Sequence, residues 1–347
     1  MKKSLIGLLI FAIMLATMSG CAKSNGSDSS DTITIGTSPY PAWYVWYIAQ
    51  DEGLFKKAGL NVTLKYFPVY SDSLQAFDTG KLDMLNIATC DTVAPYNQGI
   101  DFKIVMINDN SNGADGLVAK NDIKSMQDLK GKNVVTEYGT IEHFFLLKAL
   151  ESAGMSENDI KYTNMTVNDS GTAMLADKVD AACVWEPSLS MALGNTNNHL
   201  LYSSEQTPGL IPDLLVATSK LIKDNPKNVQ KLVDVWYQAL DFYKQNPDKA
   251  AADMAKQANV SVSDMKGIMA GSKLFSVSDN ISAMTQKQNS YSYLPYTITE
   301  TAKFLKSVKM VDKVPSNPLD MIDTTFIKAE EKTYGSDSAP DTKALKK

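Results

Sequence analysis

The chain has 347 residues, 44% hydrophobic and 21% charged, a length and balance that suit two globular domains and exclude a peptide, a disordered chain or a multi-span membrane protein. All 34 of its basic residues are Lys, with no Arg, against 39 acidic residues, for a formal charge of −5; this acidic balance offers no footprint for nucleic acid. Three Cys and two His supply neither an even disulfide framework nor a spaced zinc set, so no cofactor or metal is expected.

In chain order, Met1-Lys2-Lys3, an apolar run over 4–18 and Ser19-Gly20-Cys21 read as an export signal, the run being too short to span a bilayer comfortably. A short N-terminal anchor helix is the competing reading. Gly20-Cys21 before the polar run 22–31 resembles the bacterial lipoprotein cleavage box, which implies a signal peptide over 1–20 and lipidation of Cys21. Met18 stands where Leu is more usual. Cleavage would remove Lys2 and Lys3 and leave a formal charge of −7. Residues 21–31 then form a flexible tether, and the protein sits lipid-anchored on the extracytoplasmic face of the membrane.

A strand is predicted over 32–36, then a helix over 42–52 stopped by Gly53, a strand over 61–66, a helix over 71–79 and a strand over 84–88. The pattern restarts after Gly131, with strands over 133–136 and 181–185 and helices over 141–154 and 170–177. Strand and helix alternating with short links predict α/β layers with mainly parallel sheets. Two apolar strands, 116–120 and 214–218, would join the two units. Helices over 229–245, 247–259, 263–270 and 297–308 would return to wrap the first unit, and 331–347, Ser-, Asp- and Lys-rich, reads as a disordered tail. The expected division is lobe 1 over 32–117 and 217–330, and lobe 2 over 118–216.

Residues 41–59, Gly80-Lys81-Leu82-Asp83, Asp128-Leu129-Lys130-Gly131-Lys132, and Asp180-Ala181-Ala182 before Trp185-Glu186-Pro187 resemble the substrate-binding proteins of ABC importers, in the branch for nitrate, sulfonate, taurine and thiamine-precursor uptake. The resemblance covers roughly 32–330. It implies an α/β, two-lobe type II periplasmic-binding fold with two crossover strands, no enzyme activity, a small-molecule solute, permease and ATPase partners, and a monomer. The stretch 109–117, the loop 137–143 and Trp185-Glu186-Pro187 also resemble a guanidine-associated subgroup.

Ligands of open α/β sheets bind beyond the carboxyl ends of the strands. That selects loops 38–43, 89–92, 108–112, 137–140 with the following helix start, and 185–187. These loops hold Trp43, Asp91, Asp109, Glu137, Glu142, Trp185 and Glu186 but no Lys; Trp46, one helical turn past Trp43, completes the candidate set. Each has a structural alternative: Trp43 and Trp46 as core, Asp91 as a helix cap, Glu142 as a first-turn carboxylate, Glu186 as a loop brace. His143 reads as a satisfied helical histidine, and Cys90 and Cys183 as small buried hydrophobes. An anion would want the Arg fork that this chain lacks and would be repelled by the carboxylates. The expected ligand is therefore a small planar organic cation, guanidinium-like, with a sulfonate, taurine, nitrate or a thiamine pyrimidine as the alternative. A fold-related pyrimidine-synthesis enzyme, and a sensory or adhesive lipoprotein that uses the same fold without transport, are the remaining rivals.

Overall fold

The computed structural model describes residues 32–346; Cys21 and the signal and tether readings lie outside them. The strands are β1 (Ile33–Thr37), β2 (Val62–Tyr66), β3 (Met84–Ala88), β4 (Phe102–Ser111), β5 (Asp115–Lys120), β6 (Asn133–Thr136), β7 (Lys161–Asn164), β8 (Ala181–Trp185), β9 (Asn198–Ser203), β10 (Pro212–Thr218) and β11 (Ser272–Leu274). They form two sheets, in the order β11-β4-β10-β3-β1-β2 and β7-β6-β8-β5-β9. β3 and β8 are buried at every position, which is why they read as unbroken apolar runs rather than alternating ones.

The sheets are mixed rather than mainly parallel. β1 pairs parallel with β2 and β3, and β6 with β7 and β8, as strand-helix-strand units require. β10 enters antiparallel between β3 and β4, and β5 antiparallel between β8 and β9. These are the two crossover strands, and each belongs wholly to one sheet. The chain consequently changes sheet at 112–114 and 204–211; the expected divisions at 117/118 and 216/217 fall inside β5 and β10.

Helix Pro226–Gln245 opens with Pro at its first turn, where no intrahelical N–H is lost. It buries Val229, Leu232, Val233, Trp236, Leu240 and Tyr243 as one stripe, each such side chain contributing about 1.5–3 kcal/mol. The stripe covers helix Val45–Asp51, with Trp236 5.0 Å from Trp46. Two residues of the expected tail, Tyr334 and Thr342, are buried against the fold. Tyr334 packs 5.5 Å from Tyr237 and donates to Asp234 Oδ1 at 2.9 Å, and Thr342 Oγ1 donates to the Ser272 carbonyl at 2.7 Å. Single anchors of this kind leave no periodic trace in a sequence. Among the described residues no helix is long and apolar enough to cross a membrane.

Candidate functional site

The carboxyl ends of β1, β3 and β4 and the start of β10 face the ends of β6 and β8 and the start of β5, so strand-end residues of both sheets meet between the lobes. Register decides which ones. Asp213 lies directly opposite Asp109 on β10 and β4, and Asp115 directly opposite Trp185 on β5 and β8. Asp109, Asp115, Asp213 and Glu142 are each no more than 2% exposed. Asp109 accepts from Tyr40 Oη at 3.1 Å, Asp115 accepts from the Ser111 hydroxyl, and Cys183 Sγ donates to Glu142 Oε2 at 3.1 Å. Asp109 Oδ1, Asp213 Oδ2 and Glu142 Oε1 are buried without a hydrogen-bond partner.

Carboxylates so placed lose hydration and repel one another, and both effects disfavour the charged form. Burial, followed by the Asp109 and Asp115 charges, holds Asp213 well above the usual carboxylate range. Burial likewise raises Asp109 and Glu142, with Asp115 adding to both. Asp115 is pushed up to about 6 and Asp91 to about 7, burial again leading in each.

Rings line the same space. Trp43 lies 5.1 Å from Tyr40 and 5.6 Å from Tyr70, and Tyr70 meets Trp185 of the other lobe edge-on at 5.5 Å. Tyr70 Oη donates to Asp91 Oδ2 and accepts from the Ala88 N–H, both at 3.0 Å. Trp43 Nε1 is buried with no acceptor. Glu137 Oε1 accepts the Ser71 N–H at 3.3 Å across the lobes. Outside this cluster a cleft of about 670 Å3 opens between Pro39, Tyr44 and Tyr66 of one lobe and Asn168, Pro187 and Met191 of the other.

The structure thus brings together Trp43, Asp91, Asp109, Glu137, Glu142 and Trp185. Trp46 is a correction: fully buried in the lobe 1 core, it stacks on Phe55 and donates to Asn86 Oδ1 at 3.1 Å. Glu186 takes the bracing role, accepting the Ser190 N–H at 3.1 Å and its hydroxyl at 2.8 Å. The expected loop 108–112 is mostly β4; Asn and Asp disfavour strands, but pairing with β10 and β11 overrides that preference. His143 stacks on Tyr162 and meets Glu157 Oε2 at 2.5 Å.

Asp115, Asp213, Tyr40 and Tyr70 escape the sequence reading. For the two Asp a signal exists: each is a lone charge opening an apolar strand, in Asp115-Gly116-Leu117-Val118 and Asp213-Leu214-Leu215-Val216, and charges are rarely buried without a task. Among the described residues no three His, Cys, Asp or Glu side chains converge closely enough to hold a metal ion. The arrangement suits a ligand that spans several carboxylates rather than a point charge.

The NMT1/THI5 like family matches residues 41–250. The "Putative aliphatic sulfonates-binding protein" of Bacillus subtilis (strain 168) is 26% identical, aligned over 97% of this chain and all of its own length. The "Taurine-binding periplasmic protein" of Escherichia coli (strain K12) is 22% identical over 85% of this chain and 92% of its own. The crystal structure of the periplasmic aliphatic sulphonate binding protein SsuA from Escherichia coli superposes with a TM-score of 0.69 at 19% identity, covering 84% of this chain and 97% of that one, a likeness of fold. With the family match spanning more than half of the chain and the two-sheet α/β architecture shared with periplasmic binding proteins, this chain belongs to the NMT1/THI5-like family.

Proposed function

We propose that the protein is the solute-binding component of an ABC importer and that it captures a small planar organic cation of the guanidinium type between its lobes. A relative 22% identical over 77% of its length is named "Putative ABC transporter periplasmic binding protein", which supports the importer role. The ligand class rests on one observation: Asp109, Asp115, Asp213 and Glu142 are buried together beside aromatic rings, and no Lys figures among the groups that shift them. An anion placed there would meet repulsion of roughly 4 kcal/mol per ionised neighbour at an effective dielectric near 20. A planar cation gains that attraction, and about 0.5–2 kcal/mol for each ring face it covers.

A sulfonate or taurine is the second reading, favoured by what the Bacillus and Escherichia relatives are named for. It would have to be held without Arg and with the carboxyls protonated. Catalysis finds little support, because burial raises both the Cys90 and the Cys183 thiol far from a reactive thiolate. Anchoring through lipid on Cys21 belongs to the same proposal; Cys21→Ser releases the protein from the membrane fraction if it holds.

The deciding experiment is a thermal-shift and calorimetric panel with guanidinium, methylguanidine, urea, taurine and an alkanesulfonate at millimolar concentration. A ligand specific for the folded state raises the melting temperature. Guanidinium-type cations are expected to do so; stabilisation by sulfonates alone overturns the cation reading.

A further inference from the structure

Asp109, Asp115 and Asp213 come from three strands and two sheets, yet each is at most 2% exposed and the charges of Asp109 and Asp115 both reach Asp213. Two of them face each other across the β4–β10 ladder, where like charges directly opposed are destabilising. The groups around them add no positive charge. They are Tyr40 from the segment after β1, Tyr70 from helix Tyr70–Asp78, Cys90 and Asp91 after β3, Ser111 from β4, Glu137 after β6, Glu142 from helix Ile141–Ser152, Cys183 from β8 and Ser272 from β11. The nearby His143 is engaged with Glu157.

Three carboxylates cannot all stay ionised in such a place without a counter-charge. We infer that the Asp109–Asp115–Asp213 triad is partly protonated in the empty protein and releases a proton to solvent when the cation enters, so that capture exchanges one positive ion for another. This inference rests on the cation reading given above. It also sets specificity: a neutral isostere of guanidinium such as urea brings no charge to replace the proton and should be rejected despite its matching shape. Burial places the Asp115 carboxyl at about 6, inside the range where such an exchange would be felt.

The test is isothermal titration calorimetry of the full-length chain with guanidinium chloride, between about pH 5 and pH 8, in buffers of low and high ionisation enthalpy. The expected result is a buffer-dependent heat corresponding to release of about one proton per guanidinium, with affinity falling up to about tenfold for each pH unit of acidification. Asp213→Asn, checked for folding by circular dichroism, should release fewer protons and bind more weakly at the alkaline end. Should that variant not fold, the two-buffer comparison on the parent decides by itself. Guanidinium bound with buffer-independent heat and constant affinity across the range overturns the exchange and leaves the cation reading intact. Absence of guanidinium binding at every pH overturns both.

Discussion

Trp43 and Trp46 differ by three positions, yet only Trp46 has a partner for its indole N–H. Trp46 fills the space between Phe55 and Trp236 and satisfies its indole N–H on Asn86. Trp46→Ala should therefore lower unfolding free energy by about 3–5 kcal/mol, read from urea titrations, while the folded fraction keeps its ligand affinity. Trp43 sits against Tyr40 and Tyr70 with its indole N–H unanswered. Trp43→Leu should weaken cation binding by roughly 2- to 30-fold, the worth of one cation–π contact, as measured by calorimetry. Equal affinity in that variant would remove Trp43 from the site.

At the scale of elements, the two links between the sheets are tied to each other and to lobe 1. Ser204 Oγ accepts the Gly113 N–H at 2.7 Å and lies 2.7 Å from Ser111 Oγ, whose hydroxyl also serves Asp115. The link over 112–114 runs against Gly271, which accepts the Asn112 N–H at 2.8 Å. A Cβ at Gly271 would come within 2.6 Å of Ala114 N, so Gly271→Ala should cost about 1–3 kcal/mol of stability through overpacking, measurable by denaturant titration. An unchanged midpoint would mean that this contact yields freely. Asp115 thus belongs both to the buried carboxylates and to the Ser111–Ser204 junction that ties the two links together.

For the whole molecule, the lobes meet through Tyr70 and Trp185, the Ser71 N–H on Glu137, Asn168 Nδ2 on the Pro68 carbonyl at 3.1 Å, and Phe144 against Phe304 at 5.5 Å. If the protein captures its ligand between the lobes, closure on binding is expected, and small-angle scattering should show a smaller radius of gyration with saturating ligand than without. Stability should also depend on pH in a defined direction. Asp91 and Asp115 are raised from 3.8 to about 7 and about 6, so between those limits the folded state holds more protons than the unfolded one. Stability conferred at low pH is lost as pH rises through the raised values. The ligand-free protein should melt at a higher temperature near pH 5.5 than near pH 8, within the range where carboxyls and His titrate, and Asp115→Asn should flatten the difference. A melting temperature that rises over that interval would contradict the buried-carboxyl account.

The architecture was legible because it rests on local signals. Apolar runs such as Met84–Ala88 and Ala181–Trp185 match β3 and β8, and the apolar stripe of Pro226–Gln245 follows helical spacing. Carboxylates at strand ends after β3 and β6 were legible for the same reason, since a strand end is visible in sequence. Pairing register was not. Nothing local indicates that Asp213 stands opposite Asp109, or that β5 enters its sheet antiparallel beside β8 and so carries Asp115 to Trp185. Nor does helical spacing say which of Trp43 and Trp46 turns toward the core, because Trp43 lies in a separate 3-10 turn, Ala42–Tyr44, ahead of helix Val45–Asp51. Composition and periodicity therefore determined the repeated α/β pattern and the absence of Arg; long-range pairing alone decided which carboxylates lie opposite one another, because cross-strand neighbours are set by register between segments some hundred residues apart.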